Sequence, residues 1–354
     1  MNDTNDNNIL PVTLKPPRTT TIANHFVGAI IAGAKQMGYD TNAILDRAGI
    51  PAELLNEKKA RVYPDSFARL YQEVALTLDD EFLGLSQVRS KVGSFATMCQ
   101  LVIHTHNLER AFKRGTRFYD LFDLATYAEL IVEGDQAKLV IKNHDQPKNR
   151  INNFLIESQL VIWHRLACWL INQRIPLINA SFPYPAPDYV SEYELLFYCP
   201  LLFNQEEISI TFEAQYLKAP IEKDEEQLNE MLREAPGSLL VKPNNNTSVT
   251  TQIRRLLSRD FDDGLRDFES IAHELNTTSQ TLRRKLKQEK TSFQDIKDQV
   301  RRDLAIYHLS QSKLGLDQIA QKVGFTETST FHRAFKKWTG VTPGHYRYGQ
   351  LEPN

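Results

Sequence analysis

Cysteine is scarce in this chain: there are three in 354 residues, Cys99, Cys168 and Cys199, and no two form a Cys-x-x-Cys pair. That scatter excludes a disulfide framework and a cysteine zinc site, and it fits a reducing compartment. Long apolar runs are also missing. The stretch "FVGAIIAGA" falls far short of the roughly 20 residues that a membrane span needs. The opening "MNDTNDNNIL" is acidic and polar and has no apolar core, so no secretory signal is read there. No Gly-x-Ser-x-Gly, P-loop, Gly-x-Gly-x-x-Gly or His-Glu-x-x-His motif occurs, which argues against an enzyme and calls for no cofactor. The expectation is a soluble cytoplasmic protein without a membrane partner.

Net charge is nearly absent as well, at -2, but its distribution is uneven. Residues 250–349 hold 18 Lys and Arg against 12 Asp and Glu, whereas the remainder holds 24 against 32. An acidic body with a basic end is the asymmetry expected of a nucleic-acid binder. With 41% hydrophobic residues, the chain has enough apolar material for two cores.

Residues 1–20 mix Asn, Asp, Thr and paired prolines and read as a disordered tail. From Thr21 to about Leu121 apolar residues recur at helical spacing, as in "FARLYQEVAL", where Phe67, Leu70, Tyr71 and Val74 share a face. The period then shortens to two. "ATYAELIVEG" and "DQAKLVIKN" flank Gly134-Asp135 and predict a hairpin. A long helix over 153–173 and two more strands, "LINASF" and "ISITF", follow. Residues 21–237 therefore read as an α+β effector or dimerisation domain, helices plus a small antiparallel sheet. Proline and three successive asparagines in "LVKPNNNTS" mark a linker over 238–248.

The end of the chain reads as wholly helical and repeats itself. "IAHELNTTSQTLRRKLK" from Ile271 aligns with "IAQKVGFTETSTFHRAFKK" from Ile319. Leu282, Arg284 and Leu286 match Phe331, Arg333 and Phe335. Each copy reads as helix, turn, helix. Thr278 is expected to cap the second helix of the first copy, and Thr326 that of the second. Gly324 permits the tight turn, Gly340 the stop, and Pro343 a restart. Subtracting the apolar face leaves Gln280, Thr281, Arg283, Arg284 and Lys287 outward on the first helix. Thr328, Ser329, His332, Arg333 and Lys336 face outward on the second. Arginine grips the guanine edge with two hydrogen bonds, glutamine does the same for adenine, and lysine neutralises phosphate. One basic helix face is often only a solvated surface, but two with matched anchors and matched arginines favour DNA. The joining segment "FQDIKDQVRRDLAIYHLS" is a helical strut, with Ile296, Val300, Leu304 and Tyr307 on one face.

Residues 249–349 resemble the tandem helix-turn-helix domain of AraC/XylS-type transcriptional regulators, most specifically in "IAQKVGFTETSTFHRAFKKWTGVTPGHYR". Residues 21 to about 235 are similar to the so-called arabinose-binding-type N-terminal domain of the branch that includes ornithine-utilisation and virulence regulators. "HRLACWLINQRIPL" and "SFPYPAPDYVSEYELLFYCPLLFN" carry that likeness, and the label assigns no ligand. The resemblance implies an α+β domain followed by an all-α tandem helix-turn-helix domain. It implies an effector-responsive activator of promoter DNA, with an unidentified small-molecule effector, RNA polymerase and a second copy of the chain as partners. The alternative is a DNA-binding regulator whose N-terminal domain serves only dimerisation or protein contact.

Two other constellations have plain readings. His104 and His106 sit two apart on a helix and so point in different directions, as ordinary histidines rather than metal ligands. Trp163, His164, Arg165 and Trp169 suggest a carboxylate site, but core packing with a structural ion pair is the better reading.

Overall fold

The computed structural model describes residues 21–122, 124, 126–143, 152–241, 249–259, 266–289 and 291–348. The tail expected over 1–20 and most of the expected linker lie outside these residues. Strand β1 (Ile22–Ala23) opens the chain and pairs antiparallel with β2 (Arg61–Val62). Between and after them come α1 (Asn24–Gln36), α2 (Thr41–Ala48) and α3 (Pro64–Leu78). Helix α3 starts with proline at its first position, where the missing N–H costs nothing. Its predicted face of Phe67, Leu70, Tyr71 and Val74 is buried. Helices α4 (Ser94–Val102) and α5 (Leu108–Tyr119) lead into the sheet.

The hairpin falls where the change of period puts it. Strands β3 (Thr126–Glu133) and β4 (Gln136–Asn143) pair in antiparallel register around Gly134, which takes the left-handed φ of 58°. Helix α6 (Asn153–Leu170), β5 (Leu177–Ser181), α7 (Val190–Phe197), β6 (Leu201–Leu202) and β7 (Ile208–Glu213) follow. The sheet order is β3-β4-β7-β5-β6, antiparallel except for the short β5–β6 pair. Helix α6 packs on this sheet with Leu160, Trp163 and Ala167 buried.

Helices α8 (Glu225–Leu232) and α9 (Gly237–Val241) close this region. Helix α9 corrects the sequence reading, which began the linker at 238. Ser238, Leu239 and Leu240 are buried, and Gly237 lies against the Ala68 backbone on α3. The Arg165 guanidinium is also buried, but its expected acid partner is absent among the described residues. It donates instead to the Leu239 carbonyl at 2.5 Å, tying α6 to α9. Burial lowers its pKa to about 10.

The C-terminal part is helical throughout its described residues: α10 (Val249–Arg259), α11 (Phe268–Glu274), α12 (Ser279–Gln288), α13 (Phe293–Gln311), α14 (Leu316–Lys322), α15 (Thr328–Thr339) and α16 (Pro343–Tyr348). No helix among the described residues is long and apolar enough to cross a membrane.

Helix α1 carries a contrast that tests the packing. A Cβ on Gly33 would meet the Leu83 carbonyl oxygen at 2.0 Å, whereas one on Gly28 meets nothing within 4 Å. Gly33→Ala should therefore destabilise the chain by about 1–3 kcal/mol through overpacking. Gly28→Ala should stabilise it by about 0.5–1 kcal/mol through helix propensity. Urea unfolding of the two variants checks both signs, and equal effects would mean that α1 does not approach the loop at Leu83.

Candidate nucleic-acid interface

Each copy of the sequence repeat forms one helix-turn-helix unit, α11–α12 and α14–α15. In the first, the Thr278 side chain accepts the Thr281 N–H at 3.2 Å and caps α12 as expected. Leu282 and Leu286, one turn apart, are buried. In the second, Phe331 and Phe335 take those places, and ring contacts continue to Phe325 and Tyr346. Gly324 adopts φ 77° in the turn and Gly340 adopts φ 84° at the end of α15. Thr326 is not the cap. Helix α15 begins at Thr328, and Glu327 occupies the capping position without a side-chain bond.

The strut α13 runs for 19 residues, or about 28 Å at ~1.5 Å each. Ser292 and Asp295 close a capping box at its start. Arg301 on the strut lies 5.0 Å from the Phe325 ring centre and donates to the Gly324 carbonyl at 3.1 Å, holding the second turn. Burial lowers the Arg301 pKa.

Opposite the buried pairs, both second helices present side chains at i, i+3, i+4 and i+7, the spacing of a single helix face. On α12 these are Gln280, Arg283, Arg284 and Lys287, all exposed. Arg283 leans back, its guanidinium 5.4 Å from the Phe268 ring centre. Thr281 is half-buried and its hydroxyl accepts from Thr278 at 3.0 Å. On α15 the corresponding set is Ser329, His332, Arg333 and Lys336. Ser329, Arg333 and Lys336 are exposed, whereas His332 is half-buried with its Nε2 enclosed and unbonded. Thr328 is half-buried and its hydroxyl donates to Asp317 at 2.6 Å, joining the two helices of its unit. The structure thus gathers Gln280, Arg283, Arg284 and Lys287 on one face and Ser329, Arg333 and Lys336 on another. Thr281, Thr328 and His332 stand at their margins.

Beneath these faces lies a charged cluster that the sequence reading missed. Asp303 on the strut is buried, its side chain 1% exposed. Arg254 on α10 reaches one oxygen at 3.1 Å, and Arg302 reaches the other at 2.8 Å. Thr21 donates its hydroxyl to the same carboxylate at 2.7 Å and accepts from Arg61 Nε at 2.8 Å. Arg61 then holds Glu192 through both terminal nitrogens, at 2.7 and 3.1 Å. Burial pushes the Asp303 carboxyl up, but Arg302, Arg254 and Arg61 together hold it below the usual aspartate value. For Arg61, burial works against the charge and Glu192 prevails, raising its pKa. A signal was present in the sequence: Asp303 stands seven residues after Ile296 and three after Val300, on the strut's apolar face.

His104 and His106, read from the sequence as helical, lie instead in the turn between α4 and α5; His104 is exposed and 3.1 Å from Glu225.

The caps give a local test. Thr278→Ala should cost about 1 kcal/mol of stability, while Thr326→Ala, which removes no cap bond, should stay within about 0.5 kcal/mol of the parent. Guanidinium unfolding followed by circular dichroism distinguishes them. Equal losses would show that Thr326 caps α15 after all and that the helix starts one residue earlier, at Glu327.

Comparison with known proteins places both regions. Residues 38–221 match the family described as the arabinose-binding domain of AraC transcription regulators, N-terminal. Residues 271–348 match a helix-turn-helix domain family. The ornithine utilization regulator of Pseudomonas aeruginosa is 27% identical over 323 residues, covering 91% of this chain and 95% of that one. The urease operon transcriptional activator of Escherichia coli is 33% identical over 86 residues, 24% of this chain and 29% of its own. A crystal structure of the transcriptional regulator CdpR from Pseudomonas aeruginosa covers 92% of this chain and 98% of its own at 19% identity. Its TM-score is 0.31, too low for that likeness to bear on the arrangement of the regions.

Proposed function

Because the chain belongs to the AraC family of DNA-binding transcriptional regulators, we propose that it reads promoter DNA with two recognition helices, α12 and α15, under the control of its N-terminal region. The observation that carries this reading is the matched pair of polar faces at the same i, i+3, i+4, i+7 positions, joined by one strut. A strut of about 28 Å suits helices that enter successive major grooves, which lie ~34 Å apart on one side of the duplex. One chain then reads a site for which a single-helix reader needs a dimer.

The roles follow from chemistry. Arg284 and Arg333 grip guanine edges, and Gln280 contacts adenine. Lys287 and Lys336 neutralise phosphates, with Arg283 and Ser329 beside them. Thr281, Thr328 and His332 border the contact and shape it by packing. The N-terminal region, extended through α9, receives a small-molecule effector and joins two chains. The DNA-bound dimer contacts RNA polymerase and activates transcription in the cytoplasm. The boundary between the regions falls within 242–248. The relatives are named as regulators rather than enzymes, and the reading requires no catalytic step.

Anisotropy titrations on promoter DNA at several salt concentrations test the reading. Lys336→Ala should lower the slope of log K against log salt by about 0.9 and weaken all sequences alike. Arg284→Ala and Arg333→Ala should each cost about 1–3 kcal/mol and relax preference at base pairs ~10 apart. An unchanged slope, or both arginines acting at the same base pair, would refute the two-helix reading.

A further inference from the structure

A cavity in the N-terminal region opens between α3, α4, α5, β3 and α6. Its volume is about 60 Å³. One water needs roughly 10–15 Å³ by the same measure, so the space suits a small head group. The rings of Tyr71, Phe95, Tyr119 and Trp163 line it, together with Gln159. Among the described residues Glu81 is the single carboxylate on its wall, and no lysine, arginine or histidine lines it.

The hydrogen bonds of Glu81 explain part of its presence. One carboxylate oxygen accepts the Gly93 N–H and the other the Phe95 N–H, both at 2.9 Å, across the start of α4. The Glu81 main-chain carbonyl accepts the Tyr71 hydroxyl at 2.7 Å. Capping α4 accounts for an acid at this position. It does not account for the aromatic walls or for the lack of a counter-charge. A carboxylate offers about four acceptor sites, and two N–H groups fill only half of them. Aromatic faces around an acid form the arrangement that favours an organic cation, because the ring quadrupole and the carboxylate attract the same charge.

We propose that this cavity binds the ammonium head of a small organic amine, with Glu81 as its counter-ion and the aromatic rings, Tyr71, Phe95, Tyr119 and Trp163 among them, as its walls. The proposal rests on the reading of the N-terminal region as effector-responsive and gives that effector a chemical class. Burial supports it: despite two N–H donors, and with Asp80 adding repulsion, the Glu81 carboxyl is pushed up to about 7. A bound ammonium supplies the charge that the protein itself leaves out.

Among the described residues, the groups facing Glu81 leave it the one titrating wall residue near neutrality. Tyr71 on α3, Cys99 on α4 and Tyr119 on α5 are all raised by burial, further above neutrality than their ordinary values. Asp80, also raised by burial, lies off the cavity wall, its oxygens taken by the Phe82, Gly84 and Ser90 N–H groups. Arg89 acts on Asp80 from outside the cavity.

The test uses the full-length chain and three probes of equal shape: isobutylammonium, isobutanol and isobutyrate. At pH 8 calorimetric titration should give the amine at least a tenfold lower Kd than the alcohol and no measurable binding of the acid. Between pH 8 and pH 6 the amine's affinity should fall about tenfold as Glu81 takes up its proton, while the amine itself stays charged. The alcohol's affinity should not change. Glu81→Gln should remove both the preference and the pH dependence. Wild-type protein carries the pH arm even if that variant fails to fold. Equal binding of amine and alcohol, preferred binding of the acid, binding of none of the three, or a flat pH profile overturns the assignment. DNA affinity measured in the same preparations separates this from the effector reading. Failure to bind the amine with promoter binding intact overturns the cation site alone. Amine binding that leaves DNA affinity unchanged upholds the site and overturns its role as effector site.

Discussion

Asp303 is a carboxylate with almost no solvent contact in the middle of the helix that joins the two helix-turn-helix units. Removing such a charge from water costs several kcal/mol even after relaxation, and it persists only because its partners are complete. Arg302 comes from its own helix, Arg254 from α10, and Thr21, backed by Arg61, from the start of the chain. Three segments far apart in sequence are therefore held at one point. Moving the strut away from the N-terminal region would take from the buried carboxylate the Thr21 hydroxyl and the nearby Arg61 charge, which carries a loss.

The small sheet β1–β2 makes this arrangement. Its antiparallel register pairs Ile22 with Val62 and Ala23 with Arg61, which brings Thr21 alongside the Arg61 side chain. Further contacts run along the same seam. The Tyr346 hydroxyl donates to the Arg61 carbonyl at 2.8 Å, and the rings of Tyr63 and Tyr307 lie 5.2 Å apart. At Gly340, the end of α15, an added Cβ would stand 2.7 Å from a Glu57 carboxylate oxygen. The residues packed at the end of α15 thus touch the N-terminal region directly. A movement of β2 would reach the strut and α15 together, which is the physical link that the proposed control of DNA reading by the N-terminal region needs.

Much of this was legible in the sequence because it depends on local spacing. The repeat's buried pairs, the Thr278 cap, the hairpin at Gly134 and the stop at Gly340 each rest on residues within one or two turns of one another. Thr326 misled because the turn after Gly324 runs one residue longer than in the first copy, so the helix takes up its phase at Thr328. Helix α9 was hidden because its five residues abut the Asn-rich stretch and are held by α3 and α6, which no local pattern reveals. The outward set was legible as a face but not in its detail: Thr328 is half-buried and bonded to Asp317, and His332 is half-buried with its Nε2 enclosed. The charged cluster and the Glu81 cavity are assembled from distant segments. For them the sequence offers only an acid on an apolar helix face and an acid beside Phe82.

The central claim is that the strut and the N-terminal region are held together energetically through the buried cluster. A double-mutant cycle between Arg61→Met and Asp303→Asn, read by urea unfolding of the full-length chain, measures this directly. The account predicts that each single change is destabilising and that the pair couples by about 1–3 kcal/mol, as for residues of one network. Additivity within about 0.5 kcal/mol would contradict it, because Arg61 and Asp303 would then act independently and the two regions would not be joined at this point.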